Sequence, residues 1–169
     1  MFTLNGTVVL ITGAGSGIGA ASAKTIAQAG GRVALAGIPA TDVKQTAAEI
    51  IAAGGDAIAL STDVTDDSQV QAAVAATVRA FGQLDAVVAN AGVQRHQTDV
   101  DLHTMSEEEW ERTQDVNLRG VTRTCKHALA QMIEQGSGGA VVIMSSVTAL
   151  NGRTPNVSYM TTKTGLLGL

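Results

Sequence analysis

The sequence predicts an α/β fold, a doubly wound parallel sheet with helices on both faces. Three observations predict it. Short apolar runs recur along the chain: "TVVLIT" (7–12), "RVALAG" (32–37), "DAIALS" (56–61), "DAVVAN" (85–90) and "AVVIMS" (140–145). None of them alternates polar with apolar residues, which is the pattern of strands buried on both faces of a parallel sheet. Helical segments separate them, and a β-α-β-α order implies right-handed crossovers and an open sheet.

Each element has its own local reasons. The first strand, 7–12, leads into a helix from about Ser16 that stops at Gly30-Gly31. A second helix covers about 41–53 and ends at Gly54-Gly55, a helix-stop signal. A third runs from Asp67 to Phe81, with Val70, Val74, Val78 and Phe81 on one face. The fourth and longest is expected as one continuous helix over 107–135. Ser106 and Glu109 have the spacing of a capping box, and Met105 and Trp110 that of a hydrophobic staple, so these residues are read as structural.

Composition bounds the function. The 169 residues suit one domain, and 45% hydrophobic with 15% charged residues is the make-up of a globular chain. Aromatics are only 2%, so the core must be built from Val, Ile, Leu and Ala. A net charge of −4 without any Lys/Arg run argues against a nucleic-acid partner or an anionic membrane surface. The one cysteine, Cys125, cannot form an internal disulfide, which fits a reducing compartment. The N-terminus lacks the pattern of a signal peptide, and no apolar run approaches the ~18 residues of a membrane span, so a cytoplasmic location is expected. No metal-ligand set is assigned.

Ligands of doubly wound sheets bind beyond the carboxyl ends of the strands. The first strand ends there in "TGAGSGIG", Thr12 to Gly19, and opens directly into a helix. Glycines allow a tight turn and close approach to a pyrophosphate, and the helix N-terminus offers N–H groups and a positive dipole end. Strand before and helix after is the context that makes the motif a nucleotide-binding one. No P-loop sequence is present, so a P-loop kinase or GTPase is disfavoured. Near the C-terminal end stand the only tyrosine, Tyr159, and Lys163 four residues later; that spacing places both on one face of a helix. A free phenol, with a pKa of about 10, is a poor base near neutrality, and one nearby cation lowers a pKa by ~1–3 units.

The spacing Gly13-x-x-x-Gly17-x-Gly19 resembles the fingerprint of the short-chain dehydrogenase/reductase family. Further motifs follow in order along nearly the whole chain: Asp63-Val64 after the third strand, Asn90-Ala91-Gly92 after the fourth, Asn117 in "DVNLRG", Ser145-Ser146 after the fifth, and Tyr159-x-x-x-Lys163. The family's serine stands thirteen residues before its tyrosine, which selects Ser146 over Ser145.

The resemblance implies a Rossmann-type sheet of strand order 3-2-1-4-5, in a single dinucleotide-binding domain over 1–169 that also carries the catalytic residues. It implies hydride transfer between a nicotinamide and a secondary alcohol or ketone. Tyr159 would be the general acid/base, Ser146 would orient the substrate oxygen, Lys163 would lower the tyrosine pKa and bind ribose, and Asn117 would hold a relay water. Gly13, Ser16, Gly17, Ile18, Gly19, Asp63, Val64, Asn90, Ala91 and Gly92, with Tyr159 and Lys163, would bind the cofactor. A homo-oligomer and a small-molecule alcohol or carbonyl substrate are implied as well.

In the family, an acidic residue at the end of the second strand marks NAD, and basic residues there or in the glycine loop mark NADP. Here Gly37 and Ile38 occupy the strand-end positions and Ser16 the loop position. With no cation for a 2′-phosphate, the reading leans toward NAD. Asp42 is a distant substitute for that acidic residue or, the favoured reading, part of the first turn of the second helix. The segments 93–99 and 147–156 are expected to border the cleft, with His96 an exposed loop histidine rather than a substrate contact.

The family continues beyond this point through a sixth strand, a substrate loop and a seventh strand, all missing from the 169 residues. An exposed sheet edge and an unpartnered Leu166-Leu167-Gly168-Leu169 tail are therefore expected. Were Leu169 the true end, the alternative would be a catalytically incompetent nucleotide-binding or interaction module.

Overall fold

The structure, a computed structural model, describes residues 3–151 and 155–169. Five parallel strands form its sheet: β1 (Val8–Thr12), β2 (Arg32–Gly37), β3 (Asp56–Ser61), β4 (Ala86–Ala89) and β5 (Ala140–Ile143). Their order is β3-β2-β1-β4-β5, the doubly wound arrangement expected. Pairing is in parallel register, with Val8 opposite Arg32, Val9 opposite Ala86, Arg32 opposite Asp56 and Ala86 opposite Ala140. The connecting helices are α1 (Gly17–Gln28), α2 (Ala40–Ala52), α3 (Asp67–Phe81), α4 (Glu107–Gln114), α5 (Gly120–Gln135), α6 (Thr148–Asn151) and α7 (Val157–Gly165).

Successive strand residues point to opposite faces. Val9, Ile11, Val33 and Leu35 pack with Ala23 of α1 and Val43, Ala47 and Ile50 of α2. Leu10, Ala34 and Val87 point the other way, against Ala73 and Val74 of α3 and Ala128 and Met132 of α5. This two-sided burial is the physical reason the strands read as unbroken apolar runs.

The long segment 107–135 is not one regular helix. Between α4 and α5 lies a π-helical turn, Asp115–Arg119, in which the Gly120 N–H reaches back five residues to the Asp115 carbonyl. The capping box is only half formed. Ser106 Oγ accepts from the Glu109 N–H at 3.2 Å, but the Glu109 carboxylate is taken by Thr98 (2.8 Å) and Thr113 (3.2 Å) instead of turning back. Helix α3 is closed at both ends, by Asp66 accepting from Ser68 and Gln69 N–H and by Gly82 at φ +87°.

Strand β5 lies at an edge of the sheet, where Val142 is 48% exposed. The C-terminal leucines do not share one fate. Leu166 is buried against Val121, Cys125 and Ala89, correcting the expectation of a wholly unpartnered tail, while Leu167 and Leu169 are exposed. No helix among the described residues is long and apolar enough to cross a membrane.

Candidate active site

The glycine loop leaves β1, whose five residues are all buried. Gly13 has φ +66°, and a Cβ there would come within 2.9 Å of Ala91 Cα and 3.0 Å of Asn90 Nδ2. Only glycine meets both demands. At Gly19 a Cβ would strike the carbonyl of Gly13, so its absence lets α1 sit directly on the loop. Gly19 therefore packs behind the cleft rather than lining it. The first turn of α1 carries no acidic residue, and Ser16, at the N-cap, makes no side-chain capping bond. No acid of the turn itself therefore competes for its free N–H groups.

Asn90 braces this loop from the end of β4. Its Nδ2 donates to the carbonyls of Thr12 (3.0 Å) and Gly13 (3.2 Å). The N–H groups of Asn90 and Ala91 donate in turn to Thr12 Oγ1, at 3.1 and 3.2 Å. Asp63 sits in a turn of its own, its Oδ1 accepting from the Thr65 N–H (2.9 Å) and Thr65 Oγ1 (2.8 Å). Val64 is buried, and its Cγ2 lies 2.7 Å from where Gly120 would carry a Cβ.

Two adjoining hollows run along the strand ends. One, of about 440 Å³, is bordered by Asp63, Val64 and Ala91; the other, of about 360 Å³, by Ser16, Gly17, Ile18, Asn90, Tyr159 and Lys163. They share Gly13, Ile38, Gly92 and Val93, so the glycine loop and the Tyr159–Lys163 pair open into one cleft. Asp42, in the first turn of α2 as expected, also borders it. Arg112 of α4 lines the first hollow, a cation that no argument from the strand ends could have found.

Tyr159 and Lys163 stand together on α7. The Lys163 Nζ lies 5.7 Å from the centre of the Tyr159 ring and donates to the Met144 carbonyl at 2.7 Å. Burial pushes the Lys163 ammonium below the usual lysine range, because a charge is poorly solvated there. Asn117 is fully buried, the opposite of an ordinary mid-helix asparagine. Its Oδ1 accepts from the Val93 N–H (2.7 Å), and its Nδ2 donates to the Val93 carbonyl (2.8 Å) and, more loosely, to Thr162 Oγ1 (3.4 Å). The side-chain amide is thus committed to holding the 93 loop.

The two serines have different surroundings. Ser145 borders the hollow that holds Tyr159, and its Oγ donates to the Lys163 carbonyl at 2.8 Å. Ser146 is not among the residues bordering it. Its Oγ accepts from the Thr148 N–H (3.2 Å) and Thr148 Oγ1 (2.9 Å), which caps the short α6.

The loop 93–99 borders the cleft through Val93 and Gln94. His96 is exposed, with Nδ1 3.2 Å from Asn156 Oδ1, and does not line either hollow. Asp99, which drew no attention in the sequence, is 1% exposed and accepts from the N–H groups of Ser158 (3.0 Å) and Tyr159 (2.9 Å). Its partners lie 59 and 60 residues away, so no local pattern announces it. Of the segment 147–156, residues 152–154 lie outside the described residues.

Comparison with known proteins agrees with this geometry. The profile of the short chain dehydrogenase family matches residues 7–169. The L-rhamnose 1-dehydrogenase (NAD(P)(+)) of Azotobacter vinelandii is 40% identical over 166 residues, covering 95% of this chain and 63% of that protein. The D-threitol dehydrogenase of Mycolicibacterium smegmatis is 38% identical over 171 residues, covering 99% and 63%. A short chain dehydrogenase/reductase from Burkholderia phymatum, solved in complex with NAD, superposes with a TM-score of 0.93 at 32% identity, over 99% of this chain and 59% of the other. The chain thus spans less than two thirds of the length of these relatives. Family profile, sequence identity and superposition converge on one conclusion: the chain belongs to the short chain dehydrogenase family.

Proposed function

We propose that the chain is the dinucleotide-binding and catalytic part of an NAD(P)-dependent oxidoreductase acting on a secondary alcohol or its ketone. The observation that carries this reading is that Tyr159 and Lys163 face the same cleft as the glycine loop. The residues fit such a cofactor: the first turn of α1 is free of acids, and Gly13 and Gly92 leave the cleft floor without side chains. The pyrophosphate would rest on Gly13, Ser16, Gly17 and Ile18, the adenosine half beside Asp63 and Val64, and the ribose near Lys163. When bound, the nicotinamide supplies the hydride acceptor or donor.

The chain's own residues then manage one proton. Tyr159 holds it at the phenol oxygen and passes it to or from the substrate oxygen. Lys163 stabilises negative charge developing on that phenol. Ser146 is the serine that orients the substrate oxygen, through the hydroxyl hydrogen that its two bonds accepted from Thr148 leave unused; Ser145 steadies the backbone of Lys163. Asn117 supports the site through Val93. Tyr159→Phe tests the reading with NAD⁺ and a panel of secondary alcohols that includes sugars and polyols, after the relatives' names. Turnover should vanish while NADH still binds, and turnover near wild type would overturn the assignment.

NAD is favoured over NADP because Asp42 borders the cleft and no cation occupies Ser16, Gly37 or Ile38. Comparing NADH and NADPH affinities decides it; tighter NADPH binding, with Arg112 as the cation, would reverse the choice. A homo-oligomer goes with this reading, since Leu129 and Ile133, one turn apart on α5, are 44% and 76% exposed. Light scattering at the monomer mass would count against it. The free, buried Cys125 is compatible with the cytoplasm as the location, which fractionation tests.

A further inference from the structure

Helix α7 starts without a cap of its own. Asn156 precedes it at φ +88° with no side-chain capping bond, and its Oδ1 faces His96 instead. A helix of nine residues is too short to hold its shape alone in water. The N–H groups of Ser158 and Tyr159 are those an N-cap side chain normally accepts. Both go to the buried carboxylate of Asp99, which replaces the missing cap from 59 and 60 residues away.

Asp99 is itself firmly held. Its N–H donates to the Arg95 carbonyl at 2.8 Å, and neighbouring Thr98 Oγ1 donates to the buried Glu109 at 2.8 Å. Other anchors grip the second turn of α7: the Lys163 carbonyl through Ser145, Lys163 Nζ through Met144, and Thr162 through Asn117. Among the described residues, Asp99 alone supplies side-chain acceptors to the first-turn N–H groups. Tyr159 stands in that turn, and reacting groups tolerate misplacement of well under about 1 Å.

We propose that Asp99 is the positioning residue of the Tyr159–Lys163 helix: its carboxylate clamps the first turn and sets where the phenol and the ammonium stand in the cleft. The proposal rests on the reading of the cleft as a nicotinamide dinucleotide site. NADH and ADP are the probes, because ADP lacks the half that α7 would meet. Losing two charge-assisted hydrogen bonds should loosen that half, so Asp99→Ala is expected to weaken NADH roughly tenfold and ADP less than about twofold. Asp99→Asn keeps one acceptor oxygen but turns an amide NH2 toward the other backbone N–H, so it should recover only part of the loss, leaving NADH roughly fivefold weaker than wild type and ADP less than about twofold weaker; it also carries the test if the alanine variant does not fold.

Equal weakening of NADH and ADP would reduce Asp99 to a support of the fold and overturn the proposal. Unchanged affinity for both would overturn it as well. Lys163→Ala separates this from the underlying reading. If that variant keeps the full preference for NADH over ADP, the assignment of α7 to the nicotinamide half fails, and the role of Asp99 falls with it.

Discussion

The two ends of the cleft are built by different means. Around the glycine loop, β1 is buried along its whole length, and β2 and β4 flank it in parallel register. The loop shape follows from backbone freedom at Gly13 and from close packing at Gly19. Around α7, the neighbouring strand β5 is a half-exposed edge, and the helix is held by side chains reaching backbone groups: Asp99 to Ser158 and Tyr159, Lys163 to Met144, Ser145 to Lys163. The lesson is that the glycine-loop end rests on main-chain geometry, whereas the α7 end rests on a few polar side chains. A substitution at the first end should therefore damage folding and binding together, and one at the second should separate them.

The largest separation should come from Tyr159→Phe. General acid/base groups contribute ~10²–10⁴-fold, so turnover should fall by at least that factor, while urea denaturation moves by less than about 0.5 kcal/mol. A comparable loss of stability would erase the contrast. Gly13→Val tests the opposite end. With φ at +66° and Ala91 2.9 Å from the new Cβ, we expect about 3 kcal/mol of destabilisation together with loss of NADH binding. A folded variant of wild-type stability would show that the loop is more compliant than its packing implies.

Asn117→Ala lies between these extremes. It strips the partners from both polar groups of Val93, each partly buried, for an expected cost of about 2 kcal/mol in chemical denaturation. A loss below about 0.5 kcal/mol would mean that water replaces the amide easily. The smallest effect concerns Lys163. Its pKa is lowered in the folded state by burial, so at alkaline pH the folded protein sheds this proton before the unfolded chain does. Between the lowered value and the ordinary lysine value the unfolded state binds more protons, and stability relative to Lys163→Met rises with pH. Below that window the lysine is charged in both states and the difference stays level. Denaturation midpoints of both proteins across the alkaline range check the sign, and a difference that stays level there would contradict it.

Much of this molecule is legible from residue order. The strands could be read because burial on both faces demands unbroken apolar runs, and Asp67 to Phe81 because its apolar face repeats with the helical period. The glycine loop could be read because φ > 0 and close approach restrict those positions to one residue type. Tyr159 and Lys163 could be paired because a helix places i and i+4 side by side. These are constraints between neighbours a few residues apart, and they act through the chain itself.

What could not be read depends on groups distant in sequence meeting in space. The Glu109 carboxylate abandons its capping box because Thr98 lies within reach. The helix over 107–135 opens into a π turn around a buried Asn117 that binds Val93, 24 residues before it. Ser145, rather than Ser146, borders the hollow, while the Ser145 hydroxyl meets Lys163 and the Ser146 hydroxyl meets Thr148. Asp99 caps a helix from 59 residues away, and Arg112 enters the cleft from α4. Residue order carries no record of such meetings: a carboxylate or hydroxyl has the same local propensity whichever partner it finds, and the packing of helices on the sheet selects that partner.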